Sequence, residues 1–251
     1  VGAIALTLFT ASPRFDLKEQ IQTARAALER ARSAQAIDYA ADDIIAAPFD
    51  TDEFEARKVL FLARMLPLIA AENLRILEQR AIAKRSTPPV KLNALARAYG
   101  LKPGSVAKDA LLKRIDVLPP SLILAQAAIE SAWGTSRFAR EGYALFGERT
   151  FDPDAPGITP KRANGFKVKS FISLQRSVRS YMRNLNAHRA YQALRTRRAA
   201  LRAAEKPLFG RELASHLKAY SELGSDYIAL ITATIDANRL TDFDTLATTY
   251  E

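Results

Sequence analysis

The stretch Leu118-Pro-Pro-Ser-Leu-Ile-Leu-Ala-Gln-Ala-Ala-Ile-Glu-Ser-Ala-Trp-Gly134 is the part of the sequence that decides the fold. Two prolines and a serine open it, and apolar residues then lie on most sides of a helical projection. Such a segment predicts a central, buried helix, and Gly134 is expected to end it. Thr135 and Ser136 would begin a further short helix.

Glu130 is the carboxylate of this predicted helix. Apolar surroundings and the negative end of the helix dipole both favour its neutral form, and therefore raise its pKa. Trp133 follows three residues later, which would place the indole on the same helix face. A neutral carboxylic acid beside an indole is suited to donate a proton in glycosidic cleavage.

A structural role for Glu130 is equally open on spacing alone, because one Glu near one Trp is not specific. Its carboxylate could accept hydrogen bonds from amides of the next helix or pair with an arginine there. The residues concerned are Thr135, Ser136, Arg137 and Arg140.

The composition is that of a folded helical protein. The chain has 251 residues, of which 48% are hydrophobic and 25% charged, with few Gly or Pro. This length suits one core, or one core with a smaller helical partner. The absence of Cys excludes thiol nucleophiles, disulfides and Cys-based metal sites. His188 and His216 lie in different segments, so neither a metal site, a cofactor nor a Ser-His-Asp triad is expected.

Two long helices are predicted before the central one. Apolar residues at three- and four-residue spacing predict a helix from Asp16 to Ala46 and a second from Asp52 to Lys84, interrupted or kinked at Pro67. The plain interpretation is a peripheral antiparallel hairpin. Ser86-Thr-Pro-Pro89 predicts a linker. Residues 1–86 would then be an N-terminal helical region and residues 87–251 the main domain.

The helical pattern disappears from Tyr143 to Phe171. Asn164-Gly165, followed by alternating residues from Phe166, predicts a small β-hairpin. The fold is therefore expected to be mainly α, with one small β lobe. The other predicted helices lie near Leu92–Tyr99, Ser105–Ile115, Ser173–Leu185, Tyr191–Ala204, Gly210–Leu217 and Asp226–Asn238.

The net charge of +10 makes a polyanion a plausible partner. From Ala155 to Ala204 there are twelve Lys or Arg and no Asp or Glu. This basic block could bind anionic envelope polymers or lipid head groups, or it could simply be a solvated helix face. Nucleic acid is not expected as a partner, because no basic motif is interleaved with aromatic residues.

An apolar run, Val1 to Ala11, opens the sequence and is too short to span a bilayer. It could be the end of a signal-peptide core or a first buried segment. We expect the protein to be exported to the cell envelope, either into the periplasm or with a tether to the membrane.

Several ordered motifs resemble one known family. They are the stretch from Leu118 to Arg140, Ala144-Leu-Phe-Gly147, Phe171 to Tyr181, Asn184 to Tyr191, and Tyr220 to Ile228. Together they resemble the glucosaminidase domain of glycoside hydrolase family 73, and within it the bacterial Bax-type proteins. The resemblance extends from about Asp52 to Leu240.

This resemblance implies a lysozyme-like α fold with a cleft between the helices and the β-hairpin. It makes residues 87–251 the catalytic domain, which would cleave the β-1,4 bond after N-acetylglucosamine in peptidoglycan glycan strands. Glu130 would be the general acid and Tyr220 an accessory group, unless Tyr220 is only a buried aromatic. Trp133 would contact substrate. Phe146 and Gly147 would line the cleft floor, unless they only form a tight loop.

The sequence departs from the family at one catalytic position. Many members have a second carboxylate shortly before the hairpin turn, where this chain reads Lys161-Arg162-Ala163. If a catalytic base exists, Glu148 is our first choice and Asp152 our second. Asp152 is also expected to contact the substrate. Participation by the acetamido group of the substrate would remove the need for a base.

Two other functions remain open from the sequence. A muramidase or lytic transglycosylase would need only a single Glu. A wall-binding protein with a lapsed active site would explain the basic block and the missing hairpin carboxylate.

Overall fold

The fold is described by a computed structural model for residues 16–33, 51–85, 88–104, 107–161 and 165–247. Within these ranges the chain is mainly helical and has one small sheet. The α-helices are α1 (Leu17–Arg32), α2 (Phe54–Lys84), α3 (Pro89–Ala98), α4 (Lys108–Arg114), α5 (Pro120–Ser131), α6 (Arg137–Gly142), α7 (Leu174–Ala187), α8 (Gln192–Ala203), α9 (Gly210–Ala214) and α10 (Ser225–Ala237). Two 3-10 helices, η1 (Arg189–Tyr191) and η2 (Leu240–Ala247), complete the helical elements of these ranges.

Helix α5 lies at the centre, as predicted. Residues 120–128 are all buried, and the helix packs against α2, α9, α10 and η2. Its N-terminus is held by the buried carboxylate of Asp244, which accepts hydrogen bonds from Ser121 N (2.9 Å), Ser121 Oγ (2.7 Å) and Gly210 N (2.9 Å). A Cβ on Gly210 would come within 2.1 Å of Ser121 Oγ, so α9 can approach α5 this closely only with glycine there.

The predicted N-terminal hairpin is present in part, since α1 packs on α2. The predicted helix from Asp16 to Ala46 is wrong in length, because α1 ends at Arg32. Residues 34–46 of that prediction lie outside the described residues, as do Val1 to Ala11. Helix α2 continues through Pro67.

Helix α2 is not peripheral. It also packs on α5 and α7, and its buried Phe61, Met65 and Ile69 belong to the same hydrophobic cluster as Leu122 and Leu124 of α5. The predicted boundary between residues 86 and 87 therefore does not separate two hydrophobic cores. As a boundary between an N-terminal region and a catalytic domain it stays a prediction. None of the helices in the described ranges is long and apolar enough to cross a membrane.

Helix α5 ends three residues earlier than predicted, at Ser131 rather than at Gly134. Ala132, Trp133 and Gly134 then have φ values of +51°, +56° and +82°, which is left-handed backbone. The Ser131 hydroxyl fixes this turn, because it donates to the Ala127 carbonyl (2.6 Å) and accepts from Gly134 N (2.8 Å). The predicted start of α6 is confirmed, with Ser136 as its N-cap.

The β lobe contains three short antiparallel strands, β1 (Arg149–Thr150), β2 (Gly157–Ile158) and β3 (Lys167–Lys169), in the order β1-β3-β2. Val168 of β3 pairs with Arg149 on one side and with Ile158 on the other. The predicted hairpin corresponds to β2 and β3, and β1 adds a strand that the sequence did not predict. Asn164 of the predicted turn lies outside the described residues.

The predicted helices after the lobe are confirmed as α7, η1 with α8, α9 and α10, whereas η2 was not predicted.

Candidate active site

A cleft of about 650 Å³ lies between the C-terminal end of α5, the entry to the β lobe and the segment before α10. It brings together five of the residues predicted for the site, namely Glu130, Phe146, Gly147, Glu148 and Tyr220. The rest of its wall is formed by Arg149, Asn184, Tyr191, Ala219, Ser221, Glu222 and Leu223.

Glu130 is half-buried in the last turn of α5, and its two carboxyl oxygens differ. Oε1 accepts a hydrogen bond of 2.6 Å from the Tyr227 hydroxyl. Oε2 has no protein hydrogen bond among the described residues and faces Gly147, whose Cβ, if present, would lie 3.3 Å away. Burial raises the pKa of Glu130, and the Tyr227 hydrogen bond opposes this in part. The neutral acid is therefore favoured to a higher pH than for an exposed Glu.

A chain of buried hydrogen bonds leads to Glu130. The Tyr181 hydroxyl donates to Gln126 Oε1, and Gln126 Nε2 lies 3.0 Å from the Tyr227 hydroxyl oxygen and donates to it. Because Tyr227 already accepts from Gln126, its own hydrogen is free for Glu130. The direction of the whole chain is set by the Gln126 amide, whose carbonyl accepts and whose NH₂ donates.

Stacked aromatic rings support this chain. The Tyr220 ring is parallel to the Tyr227 ring, with centroids 5.6 Å apart, and the Phe146 ring stacks on Tyr181 at 3.9 Å. The Tyr220 hydroxyl donates a hydrogen bond of 2.8 Å to the Phe146 carbonyl. Tyr220 thus both packs and fixes the backbone immediately before Gly147.

Glu148 is a second carboxylate in the cleft wall. Its Oε2 accepts hydrogen bonds from Lys169 Nζ (3.0 Å) and Ser180 Oγ (2.8 Å). The side chain is only 6% exposed, and Oε1 is buried without a hydrogen-bond partner among the described residues. A buried carboxylate oxygen without a donor is costly, so the two bonds to Oε2 are what hold the carboxylate in place.

Trp133 does not line the cleft. The inference that it shares a face with Glu130 is wrong, because α5 ends before Trp133 and the left-handed turn redirects it. Its ring packs edge-on against Phe61 and Phe54 of the α2 region, at 5.6 and 6.3 Å between centroids.

Asp152 is also outside the cleft. It is exposed in the loop after β1, where its Oδ1 accepts a hydrogen bond of 2.9 Å from Asp154 N. Three of the alternative partners of Glu130 are engaged elsewhere: the amides of Thr135 and Ser136 donate to backbone carbonyls, and Arg137 pairs with Glu141 at 3.3 Å. The Ser136 hydroxyl, rather than Glu130, caps α6.

Two residues that contact or orient Glu130 were missed as site residues. Gln126 lies four residues before Glu130, so helical periodicity could have placed the two on one face. Tyr227 lies within the late Tyr220 motif, but only the packing of α10 on α5 brings it to Glu130.

Seven of the eleven described cations of the basic block have a side-chain hydrogen bond or ion pair within the protein, including Lys167, which donates to the Pro153 carbonyl. Arg198 is fully buried on backbone carbonyls beside Asp116, and Arg195 caps the carbonyls of Leu185 and His188. Four others form ion pairs, which are Lys169–Glu148, Arg179–Glu72, Arg197–Glu212 and Arg202–Asp116. Four cations of the block are exposed, and their side chains have no ion pair or hydrogen bond with any described residue. They are Lys161, Arg176, Arg183 and Arg189.

Within the part of the chain that the structure describes, no group of three or more His, Cys, Asp or Glu residues could hold a metal ion.

Comparisons with known proteins identify the family of the chain. The Glucosaminidase family model, described as mannosyl-glycoprotein endo-beta-N-acetylglucosaminidase, matches residues 106–239, which include Glu130, Glu148 and Tyr227. Protein bax of Escherichia coli (strain K12) is 34% identical over 186 residues, covering 68% of this chain and 66% of that protein. No solved structure matches. The chain belongs to the glucosaminidase family.

Proposed function

We propose that this protein is an endo-β-N-acetylglucosaminidase that hydrolyses the β-1,4 bond after N-acetylglucosamine in peptidoglycan, with Glu130 as general acid. The observation that carries the proposal is the asymmetry of the Glu130 carboxyl group. Tyr227 donates to Oε1, so the proton of the neutral acid belongs on Oε2, which faces the cleft beside Gly147. A proton at that position can be donated to a glycosidic oxygen.

Glu148 is the group we propose for activating water. Lys169 and Ser180 hold its Oε2, so the carboxylate has a fixed position in the wall of the same cleft. In the proposed reaction, Glu130 donates its proton to the leaving sugar oxygen as the glycosidic bond breaks. Water attacks the anomeric carbon and gives its proton to Glu148, so that one hydroxyl forms on each product.

Tyr220 supports the site by position. Its hydroxyl is committed to the Phe146 carbonyl, and it therefore fixes the turn that brings Gly147 against Glu130. A peptidoglycan substrate would place the protein in the cell envelope.

Digestion of purified peptidoglycan tests the proposal. We expect the wild type to release fragments with reducing N-acetylglucosamine ends, detected by mass spectrometry after borohydride reduction, and Glu130→Gln to release almost none. Glu141→Gln is the matched control, because Glu141 is an exposed glutamate of α6 outside the cleft.

Other products would identify the alternatives. Anhydromuramic ends would show a lytic transglycosylase, and reducing N-acetylmuramic acid ends a muramidase. Binding to peptidoglycan without cleavage, by both the wild type and Glu130→Gln, would show a wall-binding protein and overturn the proposal.

A further inference from the structure

A second pocket, of about 590 Å³, opens beside the cleft and shares Glu148 and Asn184 with it. Its wall is strongly basic, in contrast to that of the cleft. The cationic or titratable side chains that line it, apart from Glu148, are Arg114, Lys169, Arg183, His188 and Arg189. We call it the basic pocket.

The positive charge of the basic pocket is not neutralised from within. Lys169 is paired with Glu148, so these two charges cancel. Arg114 donates to the carbonyls of Tyr99 and Ala187, which orient the guanidinium but leave its charge uncompensated. Arg183 and Arg189 are exposed and have neither a hydrogen bond nor an ion pair with any described residue. Three arginine charges therefore face this pocket without an acidic partner in the described part of the chain.

Arg183 and Arg189 differ from most cations of the basic block in their surroundings. The other cations of the basic block largely serve carbonyls and carboxylates of the fold, whereas Arg183 and Arg189 lie at the end of the cleft where Glu148 is found. Guanidinium groups bind carboxylates through two parallel hydrogen bonds, so arginines in such a position suit a ligand that carries carboxylates.

We propose that the basic pocket binds carboxylates of the peptide stems carried by the glycan strand, and that the protein prefers peptide-bearing strands to bare ones. This inference rests on the proposed function. In a peptide-bearing strand the sugars are uncharged, because the lactyl carboxyl group of each muramic acid is bonded to its peptide, and the carboxylates are on these peptides. With a strand in the cleft near Glu130, a stem on a neighbouring sugar would extend across the shared wall at Glu148 and Asn184 into the basic pocket.

The test compares two soluble, uncross-linked substrates: glycan strands with their peptides, and the same strands after an amidase has removed the peptides. The amidase leaves a lactyl carboxylate beside each muramic acid ring but removes the more distant peptide carboxylates that would reach the basic pocket. We expect the wild type to have the higher kcat/KM on peptide-bearing strands. The double variant Arg183→Gln/Arg189→Gln should lower the ratio of the two kcat/KM values roughly fivefold, as expected for two partly exposed ion pairs. Arg183→Lys/Arg189→Lys should retain part of the preference, and added salt should reduce it.

Arg176→Gln is the matched control, since Arg176 is also an exposed arginine of α7 but lies outside both pockets. It should leave the ratio unchanged. Equal rates of the wild type on the two substrates, or an equal loss by the double variant on both, would overturn the inference while leaving the glucosaminidase proposal intact.

Binding separates failure of the inference from failure of the proposed function. The Glu130→Gln protein should bind peptide-bearing strands more tightly than bare strands, and the two arginine changes should remove this difference. If the wild type cleaves neither substrate but this preference is found, only the proposed activity fails. If binding depends on the arginines but not on the peptides, as for a phosphate-rich wall polymer, the inference is wrong.

Discussion

The hydroxyl of Tyr227 lies 2.6 Å from Oε1 of Glu130 and donates a hydrogen bond to it. This contact joins α10 to the last turn of α5, and it distinguishes the two oxygens of the carboxyl group. Since Gln126 donates to Tyr227 in turn, the contact cannot easily reverse its direction. The proton of Glu130 is therefore directed to Oε2 and the cleft.

Replacement of Tyr227 by Phe should change the pH dependence of the reaction. The hydrogen bond stabilises the ionised carboxylate and so lowers the pKa of Glu130. A general acid is active while protonated, and activity is lost as the pH rises through its pKa. Without the hydroxyl the pKa rises, so the alkaline limb of kcat/KM should move to higher pH. The maximal rate should fall roughly tenfold because the carboxyl group is less well oriented.

Tyr99→Phe is the control for this change, because Tyr99 also donates a partly buried hydrogen bond, of 2.7 Å to Gln79 Oε1, away from the cleft. Its pH profile should match that of the wild type. An alkaline limb that stays in place in Tyr227→Phe would show that Glu130 does not determine that limb.

Gly147→Ala should remove most of the activity while leaving the fold intact. The backbone of Gly147 has a φ of +61°, and an added Cβ would lie 3.3 Å from Oε2 of Glu130. The left-handed conformation costs about 1 kcal/mol for alanine, and the methyl group would cover the oxygen that donates the proton. We expect kcat/KM to fall roughly 100-fold or more, with a small decrease in melting temperature.

Gly165→Ala is a suitable comparison, since Gly165 also has positive φ, +78°, but no described residue beyond its chain neighbours has an atom within 4 Å of its added Cβ. It should share the small loss of stability and retain activity. Equal activities for the two variants would argue against a role for the Glu130–Gly147 contact.

The sequence predicted the parts of the fold that depend on local pattern. The central helix α5, the β lobe and the helices that follow it were all expected from periodicity and turn residues, and Glu130 was identified on α5. Trp133 was misplaced because the side chain of Ser131, rather than the glycine, determines where α5 ends. A hydroxyl that caps its own helix competes with further helical bonds, but the sequence alone does not show which bond forms.

Contacts between distant segments could not be predicted. Tyr227 is 97 residues from Glu130 and Asp244 is 123 residues from Ser121. Neither pair has a periodic signal, because each contact depends on how α10 and η2 pack on α5. The charge count of the basic block did not show which of its cations are free to bind a ligand. Arg195 and Arg198 are buried and donate hydrogen bonds to backbone carbonyls, and a charge count does not reveal burial.

Asp244→Asn should destabilise the protein. The two oxygens of Asp244 accept three hydrogen bonds, and an amide would turn one acceptor into an NH₂ group facing another donor. Loss of these buried contacts at the start of α5 should lower the free energy of unfolding by about 2 kcal/mol, measured by urea denaturation. Asp236→Asn is the control, because its ion pair with Arg211 is largely exposed. Equal stability of the two variants would contradict this assignment.

Glu148→Gln should reduce turnover by about 10²- to 10⁴-fold, the usual contribution of a general base, because an amide cannot take the proton of the attacking water. Asp152→Asn is the comparison, since Asp152 was the second candidate from sequence but lies outside the cleft, and its turn with Asp154 accepts asparagine equally well. It should remain as active as the wild type.

Azide supplied to Glu148→Ala should restore bond cleavage, because an anionic nucleophile needs no base, and the product should be a glycosyl azide. Full activity of Glu148→Gln would instead favour participation by the acetamido group of the substrate, with Glu148 only shaping the wall between the cleft and the basic pocket.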